Sequence, residues 1–134
     1  MYALLSAFFA ALTAIFAKVG IEGVNTDLAT AIRTSVILIL AWAVAFFRGG
    51  VNTVQHLSRQ NVIFLVLSGF ATGLSWIFYF KALQLGKVSQ VAPVDKLSVA
   101  IAIVLAVLFL GEPLTVKTAV GSALIIGGTI VLIL

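Results

Sequence analysis

Cysteine is absent from this 134-residue chain, which excludes a disulfide framework, a thiol nucleophile and any cysteine-based metal site. Charge is scarce as well: 8 Lys and Arg stand against 4 Asp and Glu, together 9% of the residues. The one histidine, His56, lies in a polar stretch with Gln55, Ser58 and Arg59 and reads as solvated, without a catalytic role. No G-x-S-x-G elbow, H-E-x-x-H helix, P-loop or Gly-rich dinucleotide fingerprint occurs. Enzyme chemistry, a bound cofactor and an ATP-driven process are therefore not indicated. No long polar segment interrupts the chain, so residues 1–134 read as a single domain.

What is present is apolar. Hydrophobic residues make up 63% of the chain and the mean hydropathy is +1.27, well beyond a soluble globular domain. The lipid bilayer is thus the first expected partner. The formal charge of +4 would suggest nucleic acid in a soluble protein, but here the basic residues are dispersed singly near the ends of apolar runs and read as interface anchors. Met1 to Ala17 lacks a basic leader and is long for a signal-peptide core, so it reads as a spanning helix.

A spanning helix needs about 20 mostly apolar residues, and the charges divide the chain accordingly. Five helices are predicted, at about 1–17, 27–47, 60–82, 88–111 and 114–134, giving an all-α membrane protein. Two of them must take charge inside. Only fourteen residues separate Arg33 from Arg48, so the second helix has to start near Asp27, capped by Asn25-Thr26-Asp27, and carry Arg33 within it. Only fifteen separate Lys96 from Glu112, so the fourth has to reach back to Val88 and take in Ser89, Pro93, Asp95 and Lys96. At the Gly111-Glu112-Pro113 corner, Pro113 suits the first position of the last helix and Glu112 the positive end of its dipole.

The fourth helix is the one to question. Asp and Lys cost roughly 2.5 to 3.5 kcal/mol each at a helix centre, and the ten Leu, Ile, Val and Phe residues from Leu97 to Leu110 return roughly 3 to 6 kcal/mol. Insertion is marginal unless the charged pair finds partners. Asp95 lies about 10 Å in from Val88; Lys96 can snorkel back, whereas aspartate is too short. Pro93 cannot donate to the Ser89 carbonyl and its ring pushes on that group, so a broken turn stands beside ionisable side chains, the manner in which many transporters build a midplane site. The plainer alternative is a buried structural pair and a simple kink. Adjacent helical residues point about 100° apart, which favours partners on other helices for Asp95 and Lys96. Arg33 could belong to the same pathway or snorkel to the interface.

Two small-residue patterns bear on packing. Gly69 and Gly73 in the third helix form a small-xxx-small step, expected to serve an ordinary contact within the chain. Gly121 and Gly128, flanking Leu124 and Ile125 in the last helix, put two notches on one face and mark a candidate interface between protomers. Loop charges are nearly balanced, with Arg48, Arg59 and Lys117 on one face and Lys18, Lys81 and Lys87 on the other. Such a chain can insert both ways, and two opposed copies would supply the inverted symmetry common in transporters. An antiparallel homodimer is the assembly expected.

With the helix order in place, the sequence resembles the EamA-type half of the drug/metabolite transporter superfamily in its single-domain, five-helix form. The residues that carry the resemblance are "FAKVG" (Phe16 to Gly20), "AIRTSV" (Ala31 to Val36), "YFKALQLGKVSQVAPVDKLS" (Tyr79 to Ser98) and "FLGEPLT" (Phe109 to Thr115), most of all the joint spacing of the last two. "GSALIIGG" (Gly121 to Gly128) is similar to the dimerisation stripe of small multidrug resistance proteins. The resemblance implies one half of a ten-helix assembly: a secondary transporter, an exporter of small metabolites or drugs, working by alternating access in the cytoplasmic membrane of a prokaryote. Those small multidrug relatives carry an essential acid in the first helix, which has none here between Met1 and Ala17, so proton-coupled cation export by their mechanism would require Asp95 to take over the acid's role. A membrane subunit that scaffolds or regulates a partner without transporting is the alternative. A channel is disfavoured because no ring of like charge stands out.

Overall fold

A computed structural model describes residues 1–134, and the chain is helical with no strands. Six helices follow in order: α1 (Tyr2–Gly20), α2 (Thr26–Phe47), α3 (Arg59–Leu85), α4 (Val88–Asp95), α5 (Leu97–Leu110) and α6 (Val116–Ile133). Because α4 and α5 are two halves of one span, Val88–Leu110, the chain has five helices long and apolar enough to cross a membrane. The expected fold class is therefore present. Nearly every large apolar side chain on these spans is exposed, the surface that a chain solvated by lipid presents.

The residues form two compact units, one from Met1–Ile15 and Leu85–Leu134, the other from Phe16–Gln84. In the second unit, Asn25 caps α2 as its sequence suggests: Asn25 Oδ1 accepts from the Asp27 and Leu28 amides at 2.9 and 3.1 Å, satisfying two donors that have no partner inside the helix. The start of α2 is tied to the end of α3. Gln84 Nε2 donates to the Val24 carbonyl at 3.0 Å and to that of Ile21 at 3.5 Å, while Lys18 Nζ donates to the Leu83 carbonyl. Ile21, Phe80 and Leu83 are buried around this clamp. The loop after α2 is ordered: Gly49 turns the chain at φ +71°, and residues Gly50–His56 make a short 3₁₀ helix.

In the first unit α6 packs against both α4 and α5. Hydroxyls within the spans are disposed of locally. Thr30, Thr34 and Ser35 of α2, Thr72 of α3 and Ser122 of α6 each bond the carbonyl four residues back, at 2.8 to 3.0 Å. That is the solution open to Ser and Thr where no water reaches. No buried side-chain nitrogen or oxygen lacks a partner.

The corner before α6 differs from its expected form. Pro113 is not the first residue of the helix; it lies in a non-helical stretch, and α6 begins at Val116. Thr115 is the reason, since its hydroxyl accepts from the Thr118 amide at 3.1 Å and lies 2.7 Å from the Thr118 hydroxyl, a side-chain cap that proline cannot supply. Glu112 accordingly stands several residues ahead of α6, outside the turn over which a helix dipole acts. Its amide closes the preceding helix, donating to the Ala106 carbonyl at 3.3 Å. The Gly111 amide converges on the same acceptor, with φ at +68°, where glycine is favoured. The corner is thus a stop for α5 more than a start for α6. At the other ends, α1 runs on to Gly20 and α3 to Leu85, where the Lys18 amine takes up the Leu83 carbonyl.

Candidate functional site

The fourth span breaks inside its apolar stretch, at Lys96. There the backbone tightens: the Lys96 amide is shared between the Ala92 and Pro93 carbonyls at 3.3 and 3.0 Å, and Val99 donates to the Lys96 carbonyl at 3.0 Å. Bonds to the third residue back mark a 3₁₀ turn between two α segments. Pro93, inside α4, weakens the helix by withholding its own N–H. The break itself falls three residues further on, where the Pro93 carbonyl takes a second donor from another helix. That donor is Thr129 of α6, 3% exposed, whose hydroxyl lies 3.2 Å from the Pro93 carbonyl and 2.8 Å from that of Ile125.

Asp95 and Lys96 pair with each other across this turn, Lys96 Nζ to Asp95 Oδ2 at 3.2 Å. The expectation of partners on other helices is corrected by this geometry. The helical spacing that splays adjacent side chains is interrupted at Lys96, and the lysine stem is long enough to fold back. Neither side chain of the pair is fully covered, Lys96 being 57% and Asp95 34% exposed. Ser89 stands exposed one turn ahead of Pro93 on α4.

Arg33 belongs to the other compact unit. Its guanidinium carbon lies 4.4 Å from the Trp76 ring centroid and 5.1 Å from that of Phe80. Residues 76 and 80 are one turn apart on α3, so their rings form one stripe. Cation–π contact contributes about 0.5 to 2 kcal/mol, which offsets only part of the roughly 2.5 to 3.5 kcal/mol that an embedded arginine costs. Neither acid of its unit, Glu22 or Asp27, forms an ion pair with it. Sequence reasoning passed over Trp76, Phe80 and Thr129. The one-turn spacing of two aromatic residues in a chain carrying an embedded arginine was the available signal; a threonine in an apolar span gave none.

The glycines are unoccupied notches. A Cβ built on Gly121 or Gly128 meets no atom within 4 Å, and the same holds at Gly69 and Gly73. The latter two, with Val66, Phe70, Leu74 and Ile77, line an open apolar groove of about 410 Å³ along α3. Leu124 is exposed and Ile125 half-buried on α6.

Five membrane-crossing helices, one of them broken beside a charged pair, define a polytopic integral membrane protein with the elements of a solute carrier. The chain belongs to the EamA-like transporter family, which it matches over residues 1–134. It is 48% identical over 131 residues, 98% of this chain and 93% of the relative, to a Sinorhizobium protein described as an uncharacterized transporter in the cobO 3′ region. No solved structure matches the chain.

Proposed function

We propose that this protein is a gradient-driven secondary transporter, an exporter of small metabolites or drugs, in which the broken fourth span is the moving part and Asp95 the coupling or substrate-facing acid. The observation that carries the proposal is the interruption at Lys96. A span of two short helices can change its bend at the 3₁₀ turn without losing either segment, and the accessible acid sits at that turn. Lys96 holds the carboxylate while no proton or substrate is bound, and Ser89 and Pro93 shape the approach to it. In the same scheme two copies in opposite orientations make a ten-helix assembly in the cytoplasmic membrane, with Gly121, Leu124, Ile125 and Gly128 at the contact. The relative of nearly the same size and the balanced loop charges support a one-domain chain working as a pair.

Two measurements test this. In proteoliposomes, Asp95→Asn should abolish flux of whatever solute the parent moves while leaving helicity and assembly intact; unfolding of the variant, or undiminished flux, would sink the assignment. A single cysteine at Thr53, in the loop after α2, should label from both sides of the membrane in comparable amounts. Labelling from one side alone excludes the antiparallel pair.

A further inference from the structure

We infer that Arg33, seated against Trp76 and Phe80, is an oxyanion subsite, and that the transported solute carries a carboxylate or phosphate group. This deepens the transporter reading and rests on it for the identity of the anion as cargo.

The chemistry follows from the geometry of the stack. A guanidinium is planar, with five N–H donors directed outward in its plane and none along its faces. The Arg33 guanidinium carbon lies over the Trp76 ring at 4.4 Å, with the Phe80 ring at 5.1 Å, so aromatic rings and no carboxylate stand beside this cation, and Tyr79 is the titratable group that acts on it. Phe80 is only 1% exposed and so gives the stack a fixed floor, whereas Arg33 is half-buried and its edge remains reachable. Arg33 makes no ion pair and lies about 10 Å along α2 from Thr26, at 1.5 Å per residue. A cation at that depth, set against aromatic rings and without a carboxylate partner, is most strongly satisfied by a planar or tetrahedral oxyanion that accepts two parallel N–H bonds. Lysine would keep the charge but lose both the fork and the flat stacking surface.

The stack also provides its own reporter. The chain has two tryptophans, so Trp42→Phe leaves Trp76 as the sole indole. This variant, purified as the full chain in neutral maltoside micelles at constant ionic strength, is titrated with inorganic phosphate and with succinate while Trp76 emission is followed. A saturable change below about 10 mM, an order of magnitude above the usual ceiling of substrate constants, is expected for at least one of them. Arg33→Lys should weaken it by at least about tenfold, the loss of one bidentate contact, and Arg33→Gln should abolish it, both with unchanged helicity. The same titration in phosphatidylcholine nanodiscs, with and without phosphatidylglycerol, separates solute from lipid. A change that phosphatidylglycerol alone produces overturns the cargo assignment and makes this a headgroup site. Absence of any saturable change, or an Arg33→Lys curve that overlays the parent, overturns the subsite itself. Because the titration is at equilibrium and needs no flux, its failure leaves transport standing, and a protein that binds anions but moves none refutes transport alone.

Discussion

Replacing Pro93 by alanine separates a working break from an incidental kink. Proline inside a helix is about 3 kcal/mol less favourable than alanine, through the missing N–H and the ring clash. Pro93→Ala restores a donor for the Ser89 carbonyl and removes that clash, so α4 and α5 gain a reason to merge. Opposing this is the Thr129 hydroxyl, held 3.2 Å from the Pro93 carbonyl; side-chain hydrogen bonds between membrane helices average about 0.6 kcal/mol and reach about 1.7. The difference leaves the variant more stable by about 1 to 2 kcal/mol. Reversible unfolding in mixed micelles of dodecyl sulfate reads this directly, and spin labels at Gln90 and Val104 read whether the two segments have merged into one helix. Transport in proteoliposomes should fall although stability rises, since a continuous helix resists the change of bend that alternating access requires. A variant that is more stable, straighter and fully active would refute the moving-part assignment. One that is less stable would show that the break is imposed by α6 and that Pro93 has little share in it.

Three further outcomes follow from the same contacts. Thr129→Val, nearly isosteric, should cost about 0.6 to 1.7 kcal/mol in the same unfolding assay, and no measurable loss would show that the hydroxyl is satisfied by the Ile125 carbonyl of its own helix and contributes nothing between helices. Gln84→Leu removes the bonds to Val24 and Ile21 and should destabilise by about 1 kcal/mol; no measurable loss would show that Lys18 alone ties α3 to the chain entering α2. Gly128→Leu should dissociate the protomers, followed by crosslinking in the membrane, while Gly73→Leu leaves them associated, and each improves helix propensity by up to about 1 kcal/mol. The reverse result would move the interface from α6 to the groove on α3.

The five spans were legible because length alone forces them: two apolar runs were too short to cross a bilayer, and extending them could only be done by taking charge inside. Asn25 was legible as a cap for the same local reason, its side chain acting within three residues. The start of α6 was misplaced where two local signals competed. Pro113 permits a helix to begin, but Thr115 supplies an oxygen to an amide that would otherwise be unpaired, and in a lipid setting the satisfied amide decides. The partner of the Gly69 and Gly73 step was not legible, because a small-xxx-small pattern encodes the ability to approach closely and says nothing about which surface approaches.

The exact place of the break was beyond the sequence for a different reason. Pro93 marks weakness in the helix, yet the turn forms at Lys96, where the Pro93 carbonyl is shared between a backbone amide one residue nearer than the α pattern and a hydroxyl thirty-six positions away on α6. Local chemistry thus supplied a susceptible stretch, and a tertiary contact chose the residue. The contact that places the break contributes about 1 kcal/mol, small beside the roughly 3 kcal/mol of helix propensity lost at Pro93, so proline makes the span breakable and Thr129 only selects where the turn forms.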